Sequence, residues 1–131
     1  MYTDHNLTML TDLYQLTMMQ GYFKFHDPKK LAVFDLFYRT NPFDAAFSVV
    51  AGLDQVIDYI ENLHFSPEDV EYLRSLHLFE EDFLQYLSEF RFTGELYALP
   101  EGSIAFPGEP LIRVKAPLMQ AQLIETAILC L

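Results

Sequence analysis

The chain has 131 residues, about the length of one domain, and 51% of them are hydrophobic, which is enough to form a buried core. Its formal net charge of −11 repels phosphate backbones and anionic lipids, so neither nucleic acid nor a membrane is an expected partner. One cysteine, Cys130, excludes an intramolecular disulfide, and with no visible export signal it predicts a cytoplasmic protein.

The N-terminal part is predicted to form a helix and then a strand. From Leu7 to Phe23 the apolar residues form two stripes, which predicts a helix buried on several sides. After a loop around Pro28, alternation from Leu31 to Arg39 predicts a strand with one apolar face. Its other face carries Asp35 and Arg39, which lie about 13 Å apart along a strand and cannot pair with each other. Arg39 is therefore free to bind another partner.

The middle of the chain is predicted to be a short strand, Phe47–Ala51, followed by a cluster of helices beginning after Gly52. Ser66 begins a helix with a hydroxyl cap, a proline and two acids. Another helix begins at the acidic run 80–82, which fits dipole compensation better than a metal site. The residues predicted to face inward are Leu53, Val56, Ile57 and Ile60, then Val70 and Leu73, then Phe83, Leu84, Leu87 and Phe90.

The last third is predicted to contain short strands and a final helix. From Gly94 to Lys115, prolines and glycines punctuate apolar runs in the pattern of hairpins with tight turns. Pro117 opens a helix that reaches Leu131 without a glycine cap or a polar last turn, so we expect the chain to be cut from a longer one. The prediction is an α+β domain over residues 1–116, with a helix beginning over residues 117–131.

General catalytic motifs are missing from the sequence. It has no glycine-rich phosphate loop with its lysine, no HExxH, no CxxC and no nucleophile elbow. The strands after Gly94 could suggest a biotinyl or lipoyl carrier, but their turns lack the lysine that is modified. The scattered histidines favour surface or capping roles, and no catalytic or metal-binding residue is predicted. These histidines are His5, His26, His64 and His77.

Three stretches in series resemble the nicotinate phosphoribosyltransferase family: Leu10–Tyr22 (LTDLYQLTMMQGY), Val33–Leu53 (VFDLFYRTNPFDAAFSVVAGL) and Leu99–Thr126 (LPEGSIAFPGEPLIRVKAPLMQAQLIET). They follow the family's order and approximate spacing. The resemblance implies the N-terminal domain of a type II phosphoribosyltransferase, truncated before an irregular α/β barrel. It also implies an enzyme of NAD salvage, which converts nicotinate and phosphoribosyl pyrophosphate to nicotinate mononucleotide and pyrophosphate with coupled ATP hydrolysis and Mg²⁺.

The resemblance also implies roles for individual residues. The family's tyrosine at the position of Tyr14 stacks on the pyridine ring in the neighbouring subunit's site, which implies a homodimer with shared active sites. Periodicity alone would instead place Tyr14 in the core stripe of its helix. Arg39 aligns with a basic residue that relatives place against the donor's phosphates, and would otherwise be an exposed strand-end charge. Thr11, Asp12 and Asn41 are further candidates, for positioning those two residues.

Other functional groups of the family have no counterpart in this sequence. The phosphorylated histidine, the main donor-phosphate loop and the arginine that binds nicotinate's carboxylate are expected beyond Leu131. Mg²⁺ and ATP are therefore expected to bind mainly outside this segment, which should be inactive alone. Two alternatives stay open: a nicotinamide or quinolinate phosphoribosyltransferase, and a non-catalytic module that binds a protein through its acidic or apolar surface.

Overall fold

A computed structural model describes residues 6–27 and 29–131, in which helices and short strands alternate, as predicted for an α+β fold. His5 and Pro28, discussed above, lie outside the described residues. The elements in chain order are α1 (Leu13–Phe25), β1 (Leu31–Leu36), a 3₁₀ turn (Pro42–Asp44), β2 (Ser48–Val49), α2 (Leu53–Glu61), α3 (Pro67–Ser75), α4 (Glu81–Ser88), β3 (Glu95–Ala98), β4 (Ile104–Ala105), β5 (Ile112–Pro117), α5 (Leu118–Leu123) and α6 (Glu125–Cys130).

β5 is the central strand of an antiparallel sheet with the order β1-β5-β3. Its side chains alternate between the core and the exposed face, as expected for a sheet with one covered side. The strands predicted after Gly94 are present, but they do not form consecutive hairpins. β3 pairs with β5, and β4 pairs with the distant β2. Local turn signals could not predict this pairing, because it depends on which strand faces enter the core.

The helical cluster follows the sequence prediction closely. Ser66 and Asp69 form a capping box at the start of α3, with the Asp69 N–H 3.1 Å from Ser66 Oγ and the Ser66 N–H 2.8 Å from Asp69 Oδ2. The ring of Phe83 is fully buried and lies against the rings of Phe23, Phe79 and Tyr86. The other apolar residues predicted to face inward from α3 and α4 are also buried: Val70, Leu73, Leu84, Leu87 and Phe90.

α1 differs from its prediction in both length and burial. It begins at Leu13 rather than Leu7, since the Thr8 hydroxyl accepts a bond of 2.9 Å from the His64 N–H and holds the preceding segment in turns. Only one side of the helix is buried, with Gln15, Leu16 and Met19. The prediction of burial on several sides is therefore wrong within this segment. Side chains on its other side are substantially exposed: Leu13, Tyr14, Met18 and Phe25.

α2 differs from its prediction at one position. Leu53, Val56 and Ile60 pack against the core as predicted, together with Tyr59. Ile57 is 40% exposed, because it lies beyond the edge of the helical face that these residues share. No side chain of its own caps the start of α2, where Gly52 adopts a φ of 107°. The carboxylate of Glu101 instead accepts bonds of 3.0 Å from the backbone N–H groups of Gly52 and Leu53.

Two further boundaries differ from the sequence prediction. β1 ends at Leu36, so Arg39 lies beyond the strand, and the helix predicted from Pro117 is divided at Ile124 into α5 and α6. Side chains of both helices belong to the same core as those of α3, α4 and β5, while the domain boundary at 116/117 stays a prediction. In the described part of the chain, every helix is too short or too polar to cross a membrane.

Candidate functional site

Tyr14 lies in the first turn of α1, and its hydroxyl is hydrogen-bonded to the buried side-chain amide of Gln15. Tyr14 is 50% exposed, whereas the next residue, Gln15, is fully buried, as expected for adjacent positions about 100° apart around a helix. Gln15 Nε2 donates one bond of 3.0 Å to the Tyr14 hydroxyl oxygen and another of 2.7 Å to Glu125 Oε2. Glu125 is the first residue of α6, so this helix holds Tyr14 through Gln15.

A second contact joins the same two helix ends. Thr126 Oγ1 donates a bond of 3.0 Å to Asp12 Oδ2, and Asp12 is the residue immediately before α1. The Asp12 side chain makes no capping hydrogen bond to its own helix, so its carboxylate serves the contact with α6 instead. Two consecutive residues of α6 therefore hold two positions at the start of α1.

The hydroxyl of Tyr14 lies in an environment that keeps it protonated. Partial burial raises its pKa above the ordinary value, and the carboxylates of Glu125 and Asp12 raise the pKa further. Each effect disfavours the phenolate, so the ring stays neutral at physiological pH. A neutral, half-exposed ring with one fixed edge is suited to stacking on a flat ligand.

A cleft of about 570 Å³ lies between the exposed side of α1, the end of β1 and the helices α5 and α6. Its wall is mainly apolar, with Met18, Phe34, Phe37 and Leu129 among the lining residues. It also contains charged groups, which are Asp35, Arg39 and Glu125. A mainly apolar cleft with a few charged groups is the usual form of a small-molecule or domain-contact site.

Asp35 and Arg39 differ in how their charges are satisfied. The carboxylate of Asp35 accepts two bonds from the guanidinium of Arg113 on β5, at 2.7 and 2.8 Å. This confirms that Asp35 and Arg39 do not pair with each other. Arg39 makes no hydrogen bond or ion pair with any residue in the described ranges 6–27 and 29–131. Its guanidinium is therefore the cationic group of the cleft that is left for another partner.

The other two residues predicted from sequence lie elsewhere. Asn41 Oδ1 accepts a bond of 3.1 Å from Ser48 Oγ, and Asn41 precedes the 3₁₀ turn, in which Phe43 has a φ of 56° and is 99% exposed. Thr11 Oγ1 is buried without a hydrogen-bond partner among the described residues. Hydrogen bonds thus connect Tyr14, through Gln15, and Asp12 to α6. Arg39 makes no such bond, but it lines the same cleft as Glu125 of α6.

Sequence reasoning missed Gln15 and Glu125, which connect the two parts of this site. Gln15 is a polar residue on the buried side of α1, beside Leu16 and Met19, and that mismatch with the apolar stripe was the available signal. Glu125 gave no such signal, because in the single helix predicted from Pro117 to Leu131 an acidic residue is usual on the solvent-facing side.

The described residues do not assemble a metal site: no group of three His, Cys, Asp or Glu side chains within them could hold an ion. The acidic run at 80–82 instead makes ion pairs. Glu81 accepts bonds of 2.7 and 3.0 Å from Arg74, and Glu80 pairs with Lys24. The Arg74 guanidinium holds the pKa of the Glu81 carboxyl below its usual value.

Comparison with known proteins identifies the family. Residues 9–131 match the nicotinate phosphoribosyltransferase N-terminal domain. The chain is 44% identical over 128 residues to the nicotinate phosphoribosyltransferase of Bacillus subtilis, covering 98% of this chain and 26% of that protein. It is 40% identical over 125 residues to a nicotinate phosphoribosyltransferase of Mycobacterium tuberculosis, covering 95% and 27%.

A solved structure shows the same fold. The crystal structure of human nicotinic acid phosphoribosyltransferase matches with a TM-score of 0.83 and 40% identity, over 92% of this chain and 25% of that one. The chain thus spans about a quarter of the length of the relatives that it matches. These matches confirm the resemblance noted in the sequence: the chain belongs to the nicotinate phosphoribosyltransferase family and corresponds to its N-terminal domain.

Proposed function

We propose that the chain is the N-terminal domain of an enzyme that forms nicotinate mononucleotide and pyrophosphate from nicotinate and phosphoribosyl pyrophosphate. The structural observation that supports this most directly is the half-exposed Tyr14, which Gln15 connects to Glu125, a residue that also lines the cleft containing Arg39. Because the chain spans about a quarter of its relatives, the activity is proposed for the whole enzyme.

In this proposal, Tyr14 provides a stacking surface for the pyridine ring of nicotinate. A tyrosine ring is flat and rigid, and aromatic stacking contributes about 0.5 to 1.5 kcal/mol beyond the burial of area. The fixed hydroxyl edge limits rotation of the ring, so less entropy is lost when the ligand binds. Since Tyr14 is half exposed here, we infer that another protein surface encloses the ligand. We assign that surface to the neighbouring subunit of a homodimer with shared active sites.

Arg39 is proposed to bind phosphate oxygens of the ribosyl donor. A guanidinium can bind phosphate with two parallel hydrogen bonds, and this one has no ionic partner in the described part of the chain. In a chain with a net charge of −11, such a cation also offsets the repulsion of an anionic substrate.

The domain's part in the reaction is positioning rather than acid–base chemistry. In ribosyl transfer, the bond from the anomeric carbon to the pyrophosphate oxygen breaks while a bond to the pyridine nitrogen forms. Holding the two reactants in line lowers the entropic part of the barrier. Mg²⁺ and ATP are proposed to bind mainly to the rest of the enzyme, and no step is assigned to them on these residues.

The test is an acceptor assay of the native polypeptide that carries this sequence, with phosphoribosyl pyrophosphate, Mg²⁺ and ATP. Selective turnover of nicotinate is expected. Preference for nicotinamide or quinolinate would move the protein to another branch of phosphoribosyltransferases. Absence of turnover with all three would favour the non-catalytic interaction module.

Two variants test the assigned residues. Tyr14→Ala should raise the KM for nicotinate about three- to tenfold, since stacking and part of the pocket are lost. Arg39→Ala should raise the KM for the donor by about tenfold or more, since a charge-assisted contact is lost. Tyr72→Ala on α3 and Arg91→Ala are matched controls, because they replace other exposed residues of the same types. Unchanged kinetics in both test variants would reject the assignment.

Sharing of sites between subunits has its own test. Mixed dimers of Tyr14→Ala subunits with subunits that are inactivated elsewhere should recover the wild-type KM for nicotinate, since their one active site then receives an intact Tyr14 from the inactive subunit. If mixed dimers form and the KM for nicotinate stays raised, each subunit builds its site alone.

A further inference from the structure

We infer that Gln15 and Glu125 act as a positioning pair, which fixes the Tyr14 ring in the orientation that receives the pyridine acceptor. This inference rests on the proposed function. It assigns a role to two residues that sit behind the stacking surface and are not themselves expected to touch the substrate.

The side-chain amide of Gln15 forms hydrogen bonds to both Tyr14 and Glu125. Both of its hydrogen bonds leave from Nε2, at 3.0 Å to the Tyr14 hydroxyl and 2.7 Å to Glu125 Oε2, so the two hydrogens of that amide nitrogen are accounted for. The bond to a charged acceptor is the shorter one, as expected. Gln15 therefore connects the hydroxyl of one helix to the carboxylate of another, 110 residues away in sequence.

The Gln15 side chain does not contribute to the stability of the fold as an apolar residue at this position would. Gln15 is fully buried, and its Oε1 has no hydrogen-bond partner among the described residues. An acceptor buried without a partner is destabilising, and an apolar side chain of similar shape would avoid that cost. Its neighbours on this side, Leu16 and Met19, are apolar. The polar residue is best explained by what its amide nitrogen holds.

Among the described residues, the Tyr14 hydroxyl accepts a hydrogen bond but does not donate one. Its oxygen accepts the bond from Gln15, and no described residue accepts a bond from the hydroxyl. The Asp12–Thr126 contact at 3.0 Å fixes the same helix end beside it. The ring is thus held by one edge while its free face and its proton remain available to a ligand.

A double-mutant cycle in the full-length enzyme tests this role. Gln15→Met conserves volume and removes both bonds, so it should raise the KM for nicotinate roughly three- to tenfold and leave the KM for the donor unchanged. In a Tyr14→Phe background, Gln15→Met should add less than about twofold, because the hydroxyl that it positions is already gone. Equal effects in both backgrounds would show a merely structural residue and overturn the inference.

Glu125 offers a second variant with a conservative control. Glu125→Gln keeps an oxygen that can accept the bond from Gln15, so the KM for nicotinate should stay within about twofold of wild type. Glu125→Leu removes the acceptor and should resemble Gln15→Met. If the glutamine and leucine variants behave alike, the acceptor is not what matters and the inference fails.

A spectroscopic measurement separates this inference from the proposed function. With tyrosines labelled at the ring carbon that bears the hydroxyl, the Tyr14 resonance is assigned by its loss in Tyr14→Phe. Gln15→Met should shift that resonance, and Glu125→Gln should lower the pKa of Tyr14 because one neighbouring negative charge is removed. If neither change is observed, the positioning role of Gln15 and Glu125 is refuted, even if the enzyme is active on nicotinate. An enzyme that does not use nicotinate would refute the proposed function and the acceptor role together, whatever the resonance shows.

Discussion

The helical cluster of α3 and α4 and the face around the cleft are built in opposite ways. The cluster satisfies its own groups: a capping box begins α3, the Phe83 ring is surrounded by other rings, and Arg74 binds Glu71 and Glu81. The cleft face instead leaves Tyr14 and Phe37 half exposed, and Arg39 has no ionic partner in the described ranges.

This difference separates residues that hold the shape from residues that are available for binding. Side chains in the core make many contacts, and loss of these contacts lowers the free energy of unfolding. Apolar rings that stay exposed beside a charged group contribute little to folding, and a contiguous patch of them usually marks a contact surface. Substitutions in the cluster should therefore change stability, and substitutions around the cleft should change binding.

The largest expected effect is in the cluster. Phe83→Ala should lower the free energy of unfolding by about 3 to 5 kcal/mol, because it leaves a cavity among Phe23, Phe79 and Tyr86. Hydrogen exchange of the α3 and α4 amides in the native polypeptide measures the change. The control is Phe43→Ala, at a ring that is 99% exposed, with an expected change within about 0.5 kcal/mol. A comparable loss in both variants would erase the contrast between the two regions.

A smaller loss is expected at the start of α3. Ser66→Ala removes the acceptor for the Asp69 N–H and should cost about 1 kcal/mol, again measured by amide exchange in α3. Ser75→Ala is the matched control, since this exposed hydroxyl only donates to the Tyr72 carbonyl at the end of the helix. Its effect should stay below about 0.5 kcal/mol. Equal losses would mean that the capping box is not what stabilises this helix.

The smallest effect concerns the ion pair at the cleft, Asp35–Arg113. The hydrogen bonds from Arg113 lower the pKa of the Asp35 carboxyl, and the positive charge of Arg113 lowers it further. A lowered folded-state pKa gives stability that is present above the ordinary aspartate range, near pH 4, and is lost as the pH falls through the folded-state value. Because both side chains are partly exposed, the contribution is small.

Arg113→Met should therefore be slightly less stable than wild type at pH 7, and the difference should shrink below about pH 4. Denaturant unfolding of both proteins between pH 7 and pH 2 measures it. High salt should also reduce the difference at pH 7, since exposed pairs are screened. A difference that stays the same on acidification would show that Arg113 stabilises the fold by packing alone.

The predictions that succeeded depend on short spacing along the chain. The predicted hydroxyl cap at Ser66 lies within one turn of the N–H group that it accepts from, and the inward positions of α3 and α4 follow the helical period. The incorrect predictions have longer-range causes. Thr8 is held by His64 and prevents α1 from starting at Leu7, and the pairing of β2 with β4 joins strands that are far apart in sequence. Such contacts depend on loop closure and burial, which local patterns do not encode.

The sequence by itself determined the α+β class, the helix starts with local caps, the acidic surface and the three stretches that indicated the family, since each follows from neighbouring residues or their order. Only the tertiary structure decided which side of α1 is exposed, that Asp35 pairs with Arg113, and that Gln15 meets Glu125. These outcomes depend on elements that become neighbours only when the core excludes water, and a buried polar group must then find its partner wherever the fold places one.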